Sequence, residues 1–111
     1  MSLLFESRGN AKLQIMKDQW DPERFHVLQM QIFPTNVKAA NSTVIEVGFE
    51  GELLMDYPYY KIALPTSNAE PCTVDLLQIY GYALNNCVAN LHLRFPSPGV
   101  YWVADIRLFG V

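Results

Sequence analysis

Few residues in this chain could do chemistry, and their spacing suits none of the common reactions. The two histidines, His26 and His92, lie far apart, and neither has an acidic residue at a spacing that marks a general base. His92 sits between Asn90 and Arg94 and reads as an ordinary strand histidine. No Gly-x-Ser-x-Gly nucleophile segment is present. Gly48, Gly51, Gly81, Gly99 and Gly110 form no phosphate-cradling loop. Cys72 and Cys87 are fifteen positions apart, without the paired spacing of a zinc module. They read as reduced structural thiols, with a Cys72–Cys87 disulfide as the alternative. Glu50, Glu52 and Asp56 surround Gly51 but miss the pattern of a calcium loop, so this segment reads as a solvated turn. Asn41-Ser42-Thr43 is formally a glycosylation acceptor and reads as a turn entering a strand. The expectation is no catalytic set, no metal site and no cofactor. One enzymatic arrangement stays open: His26 or His92 paired with a carboxylate of a second copy.

The aromatic residues carry more information. Tyr57-Pro58-Tyr59-Tyr60 concentrates three tyrosines around a proline at the entrance to an expected strand. Tyrosine combines a flat apolar face with a hydroxyl, which suits sugars, peptides and protein partners. Tyr57, Tyr59, Tyr60 and Trp102 are therefore the candidate ligand-binding residues. The plainer alternative puts Tyr60 in the core and Tyr57 and Tyr59 over a sheet edge.

The elements that must hold these residues are strands. From Asn86 to Phe95 the odd positions Cys87, Ala89, Leu91, Leu93 and Phe95 are apolar, and the even ones are polar except Val88. That alternation is what a half-buried strand requires. Pro96-Ser97-Pro98-Gly99 follows as a turn, and a second run extends from Val100 to Phe109. Its even face, Trp102, Ala104, Ile106 and Leu108, is wholly apolar, so the two runs predict an antiparallel hairpin with Trp102 inside. Weaker alternation marks Thr43–Phe49, Tyr60–Leu64, Leu28–Ile32 and a short strand at Leu13 and Ile15. Phe25, Val27 and Phe33 spoil the polar side of the segment around Leu28. The stretch 73–84 reads either as a buried strand or as one short helix with Thr73 as N-cap. About seven short strands at regular spacing predict an all-β antiparallel sandwich.

Composition bounds what such a sandwich could do. The chain has 111 residues, half of them hydrophobic and only 17% charged, with a net charge of -3. An average soluble domain carries about 25% charged residues, so disorder is excluded. The acidic balance argues against nucleic acid and against anionic membrane surfaces, both of which select basic footprints. The charge-free stretch from Leu76 to Leu93 is interrupted by Gln78, Asn85, Asn86, Asn90 and His92, which argues against a transmembrane helix. The first ten residues lack the cationic start and apolar run of a signal peptide. A single domain over 1–111 is expected, with 1–10 poorly ordered and a cytoplasmic location.

The final run also bears on association. With Tyr101, Val103 and Phe109 on its outer side, it has two largely apolar faces and needs a cover. A second copy could supply it, so Tyr101, Val103 and Phe109 are the candidate interface and a two-fold homodimer is expected. The segment Phe95-Pro96-Ser97-Pro98-Gly99-Val100-Tyr101 resembles the Phe-Pro-x-Pro-Gly-x-Tyr turn of a group of uncharacterised small bacterial β-sandwich proteins. That resemblance covers about a quarter of the chain and implies an immunoglobulin-like sandwich with no particular activity. Those proteins continue past a glycine into another short strand, where this sequence has Gly110-Val111. The expected function is a non-enzymatic interaction or assembly module that self-associates. A small-ligand or carbohydrate binder using the tyrosines is the alternative.

Overall fold

A computed structural model describes residues 2–19, 21–34, 43–50, 59–64, 70–81 and 88–110. Eight strands and one helical turn run in the order β1 (Ser2–Ser7), β2 (Ala11–Gln19), β3 (Val27–Pro34), β4 (Val44–Glu50), β5 (Tyr60–Ala63), β6 (Cys72–Asp75), α1 (Leu76–Tyr80), β7 (Val88–Phe95) and β8 (Gly99–Phe109). The first sheet has the order β1-β8-β3-β6 and the second β2-β7-β4-β5. Every pairing is antiparallel. Strand 1 pairs with 8, 2 with 7, 3 with 6 and 4 with 5. One long antiparallel ribbon is thus rolled up so that successive rungs fall in alternate sheets. This is the double-sheet jelly-roll arrangement. It has four strands in each sheet, whereas the immunoglobulin type expected from the closing turn divides seven as four and three.

The core follows from alternation. Leu28, Met30 and Ile32 of β3 face Ile45, Val47 and Phe49 of β4 and Leu91, Leu93 and Phe95 of β7, all buried. Their neighbours Gln29, Gln31, Glu46, His92 and Arg94 fall on the outer faces, as period 2 demands. Among the described residues, no helix is long and apolar enough to cross a membrane.

The expected closing hairpin is corrected. β7 and β8 belong to different sheets: β7 is flanked by β2 and β4, and β8 by β1 and β3. Their apolar faces meet across the core, where the Phe95 and Tyr101 ring centroids lie 4.8 Å apart. Alternation says which face of a strand is apolar, and does not say whether two such faces lie side by side or opposite. Pro96 and Pro98 supply no backbone N–H, which favours a crossing turn over a hydrogen-bonded hairpin. Tyr101 ties that turn down, its hydroxyl donating to the Ser97 carbonyl at 2.7 Å.

The expected face of β8 is also corrected. Tyr101 and Val103 point inward and Trp102 outward. β8 spends three residue steps, from Ala104 to Arg107, where β3 spends two, from Gln31 to Gln29. This bulge falls at Asp105, whose φ of 52° is in the left-handed region that Asp tolerates. Beyond it the parity reverses, and Ile106 and Leu108 pack against the core.

The first described residues form a strand. Ser2–Ser7 pair with Gly99–Ala104. Buried Ser7 fixes the crossing from β1 to β2, its hydroxyl donating to the Phe95 carbonyl at 2.8 Å and accepting from the Gly9 amide at 3.1 Å. The ambiguous stretch 73–84 resolves into both readings in turn within its described residues. Thr73 lies in β6, and Asp75 is the cap, accepting from the amides of Leu77 and Gln78 at 3.0 and 3.2 Å. α1 then stops at Gly81, with φ at 61°.

Candidate functional site

The outer faces of the two sheets differ: the second carries ion pairs, and the first carries one apolar row beside Glu6, Gln29 and Gln31. On the second sheet, register aligns Lys12 of β2, Arg94 of β7, Glu46 of β4 and Lys61 of β5 in one row. The next row holds Gln14, His92 and Gly48. Arg94 pairs with Glu46, whose side chain is only 10% exposed. Lys12 reaches Glu50, its Nζ 2.5 Å from Oε1, and the Tyr59 hydroxyl donates to the same oxygen. The Tyr59 ring lies over Gly48 and 4.4 Å from the Arg94 guanidinium carbon. Together these groups cover His92, whose side chain is 13% exposed with Nδ1 3.6 Å from Glu50 Oε2. His92 Nδ1 and Arg94 Nε make no hydrogen bond.

Electrostatics follow this geometry. Hydrogen bonds from Lys12, then Tyr59, hold the Glu50 carboxyl below its ordinary range. Burial, followed by the Glu50 bond, pushes the Tyr59 hydroxyl well above the usual phenol range. Glu50 therefore adds stability above the ordinary carboxylate range of about 4.3, and that contribution disappears as pH falls through its depressed value. Glu50→Gln should be less stable than the wild type at neutral pH by under about 1 kcal/mol, because the pair is largely solvated. The difference should vanish on acidification. Urea titrations from pH 7 downward read this, and a gap that widened toward acid would contradict the arrangement.

Gly48 makes the stacking possible. A Cβ built there would lie 2.8 Å from the Tyr59 ring, which Glu50 holds from its other end. Gly48→Ala should cost about 1–2 kcal/mol by overpacking, although alanine normally suits a strand better than glycine. Chemical denaturation with no measurable loss would mean that the ring swings aside freely.

The first sheet is different. Register places Leu4 of β1, Trp102 of β8 and Phe33 of β3 side by side on its outer face. Leu4 is 54% and Trp102 42% exposed. Leu4 leaves no signal in the sequence, because Leu3-Leu4-Phe5 is an unbroken apolar triplet without alternation. Phe33 left a signal, an apolar residue on the otherwise polar side of its strand.

The structure separates the candidate ligand residues. Tyr59 lies on the second sheet with its hydroxyl engaged by Glu50. Tyr60 lines an open cleft of about 630 Å³ between β5 and the β6–α1 segment. Trp102 is on the opposite sheet, and Tyr57 lies outside the described residues. Of the candidate interface residues, Tyr101 and Val103 are buried in the core and cannot meet a partner, because the bulge reverses the face of β8. Phe109 remains partly exposed at the far end of the same strand.

Each histidine has a carboxylate of its own chain nearby, Glu50 for His92 and Asp75 for His26. His26 Nδ1 is 3.4 Å from Asp75 Oδ1, the oxygen that caps α1. Cys72 is free, and burial pushes its thiol up to about 11. Cys87 lies outside the described residues, and no group of metal-ligating side chains occurs among the described ones. No protein-family model, curated protein or solved structure matches the chain.

Proposed function

We propose that this protein is a non-enzymatic interaction module that self-associates through the outer face of its first sheet. The observation that carries this reading is the row Leu4–Trp102–Phe33, with a tryptophan and a leucine about half exposed. Burying a tryptophan contributes more than burying most side chains, and such residues anchor interfaces. The second sheet supports the reading by contrast. Four of its charged groups are paired with one another, as Lys12–Glu50 and Arg94–Glu46, so a partner there would have to displace them.

Trp102→Ser tests this. The side chain lies outside the core, so the variant should keep its thermal unfolding within a few degrees of the wild type. Its self-association by sedimentation velocity should weaken at least tenfold, since losing a hot-spot tryptophan costs 2 kcal/mol or more. Tyr60→Ser, on the other side of the sandwich, should leave association unchanged. Equal association of the wild type and Trp102→Ser would end the proposal.

A further inference from the structure

The self-association proposed above leaves open how two copies would meet, and the sheet edges differ sharply in this respect. Among the described residues the four edges are β1 and β6 in the first sheet and β2 and β5 in the second. An edge strand presents unpaired N–H and C=O groups, which proteins usually guard by shortness, lysines, proline or bulges. β5 and β6 have only four residues each. β2 carries Lys12 and Lys17, and its register is broken between Gln14 and Met16. β1 has none of these guards. It runs Ser-Leu-Leu-Phe-Glu-Ser over six residues in unbroken register with β8, with one charged residue, no proline, and both Leu3 and Leu4 exposed.

We infer that β1 is the docking edge, and that its occupant is β1 of a second copy, added antiparallel about a two-fold axis. An antiparallel strand pair is self-complementary under a two-fold axis, so one edge can serve both copies. Side-chain parity and charge select the register. Residues directly opposite must share a face, so even positions meet even ones and odd meet odd. Pairing Glu6 with the partner's Glu6 opposes like charges, and pairing it with the partner's Leu4 sets a carboxylate against an apolar side chain. Leu4 opposite the partner's Leu4 avoids both. It puts Glu6 opposite the partner's Ser2, whose hydroxyl can donate to the carboxylate, and Leu3 opposite the partner's Phe5. The exposed rows then join into one apolar ladder of six side chains across the axis: Phe33, Trp102 and Leu4 from each copy. Leu3 also lines a cleft of about 430 Å³ beside Leu13, Ile15 and Ile106.

Residue-resolved amide exchange on the associated wild-type protein tests the edge directly. A free β1 is hydrogen-bonded only to β8, so its amides should alternate between protected and fast. In the proposed dimer the consecutive amides of Leu3, Leu4, Phe5 and Glu6 are all slowed. On dilution to monomer, every second one should speed up at least tenfold. Leu4→Cys gives an independent reading: directly opposed Cα atoms are about 4.5–5.5 Å apart, within disulfide range, so oxidation should link two copies at this residue, mapped by mass spectrometry. Glu6→Cys should not cross-link to itself. A dimer that retains alternating protection and forms no Leu4→Cys link overturns edge pairing while leaving association through the sheet face intact. A chain that stays monomeric at the highest concentrations overturns both.

Discussion

Tyr101→Ala should destabilise the protein by about 4 kcal/mol, the middle of the range for truncating a buried aromatic side chain. Tyr101 is fully buried, its ring 4.8 Å from Phe95, which is itself 4.8 Å from Phe5. Removing it opens a cavity where β1, β7 and β8 converge. Tyr101→Phe keeps the ring and loses only the bond to the Ser97 carbonyl, so it should cost about 1 kcal/mol. Against a typical stability of 5–15 kcal/mol, the alanine variant should lower the melting temperature by roughly 20 °C. The neighbouring Trp102→Ala should cost under about 1 kcal/mol in the monomer, as surface changes do. This contrast separates the bulged register from simple alternation along β8, which buries Trp102 and exposes Tyr101. Urea melts with the two costs reversed would refute the bulge.

Arg94→Leu should cost about 2–3 kcal/mol, somewhat less than breaking a fully buried pair because the guanidinium side chain is 31% exposed. The loss falls on Glu46, which is almost covered and has no second basic group bonded to it among the described contacts. Glu46→Gln combined with Arg94→Leu removes both charges and should recover at least about 1 kcal/mol relative to the sum of the single variants, as expected for groups in direct contact. Strictly additive losses in equilibrium denaturation would mean that the two side chains do not depend on each other. The same cycle bears on function, because a strongly coupled pair is unavailable to an incoming ligand.

Much of the fold was legible in the sequence. Ile45, Val47 and Phe49 and then Leu91, Leu93 and Phe95 alternate cleanly, and all six are buried. The errors came where the period changes. The bulge at Asp105 adds one residue to β8 and inverts its first half, which sent Trp102 to the wrong face and put Tyr101 and Val103 in an interface. A second irregularity, between Gln14 and Met16, hid most of β2 behind a short strand at Leu13 and Ile15. Sheet membership was not legible, because Phe95 and Tyr101 would be equally apolar in one sheet or across two. The charged cluster was missed for a similar reason. Lys12 and His92 are distant in sequence from Glu50 and Tyr59 and join them only once β2, β7, β4 and β5 lie side by side. The limits of α1 were not legible either: Asp75, not Thr73, accepts the two main-chain bonds of the cap, and Gly81 ends the helix instead of lying inside it.

Oxidative footprinting of the wild-type chain across a concentration series, read residue by residue by mass spectrometry, confronts the proposed mode of action most directly. Side chains should lose reactivity only where a partner covers them. Trp102 and Leu4 should become several-fold less reactive as the protein associates, while Tyr59 and Tyr60 should stay constant. Protection that appears on the tyrosines instead, or a tryptophan signal indifferent to concentration, would contradict the assignment of the first sheet as the working surface.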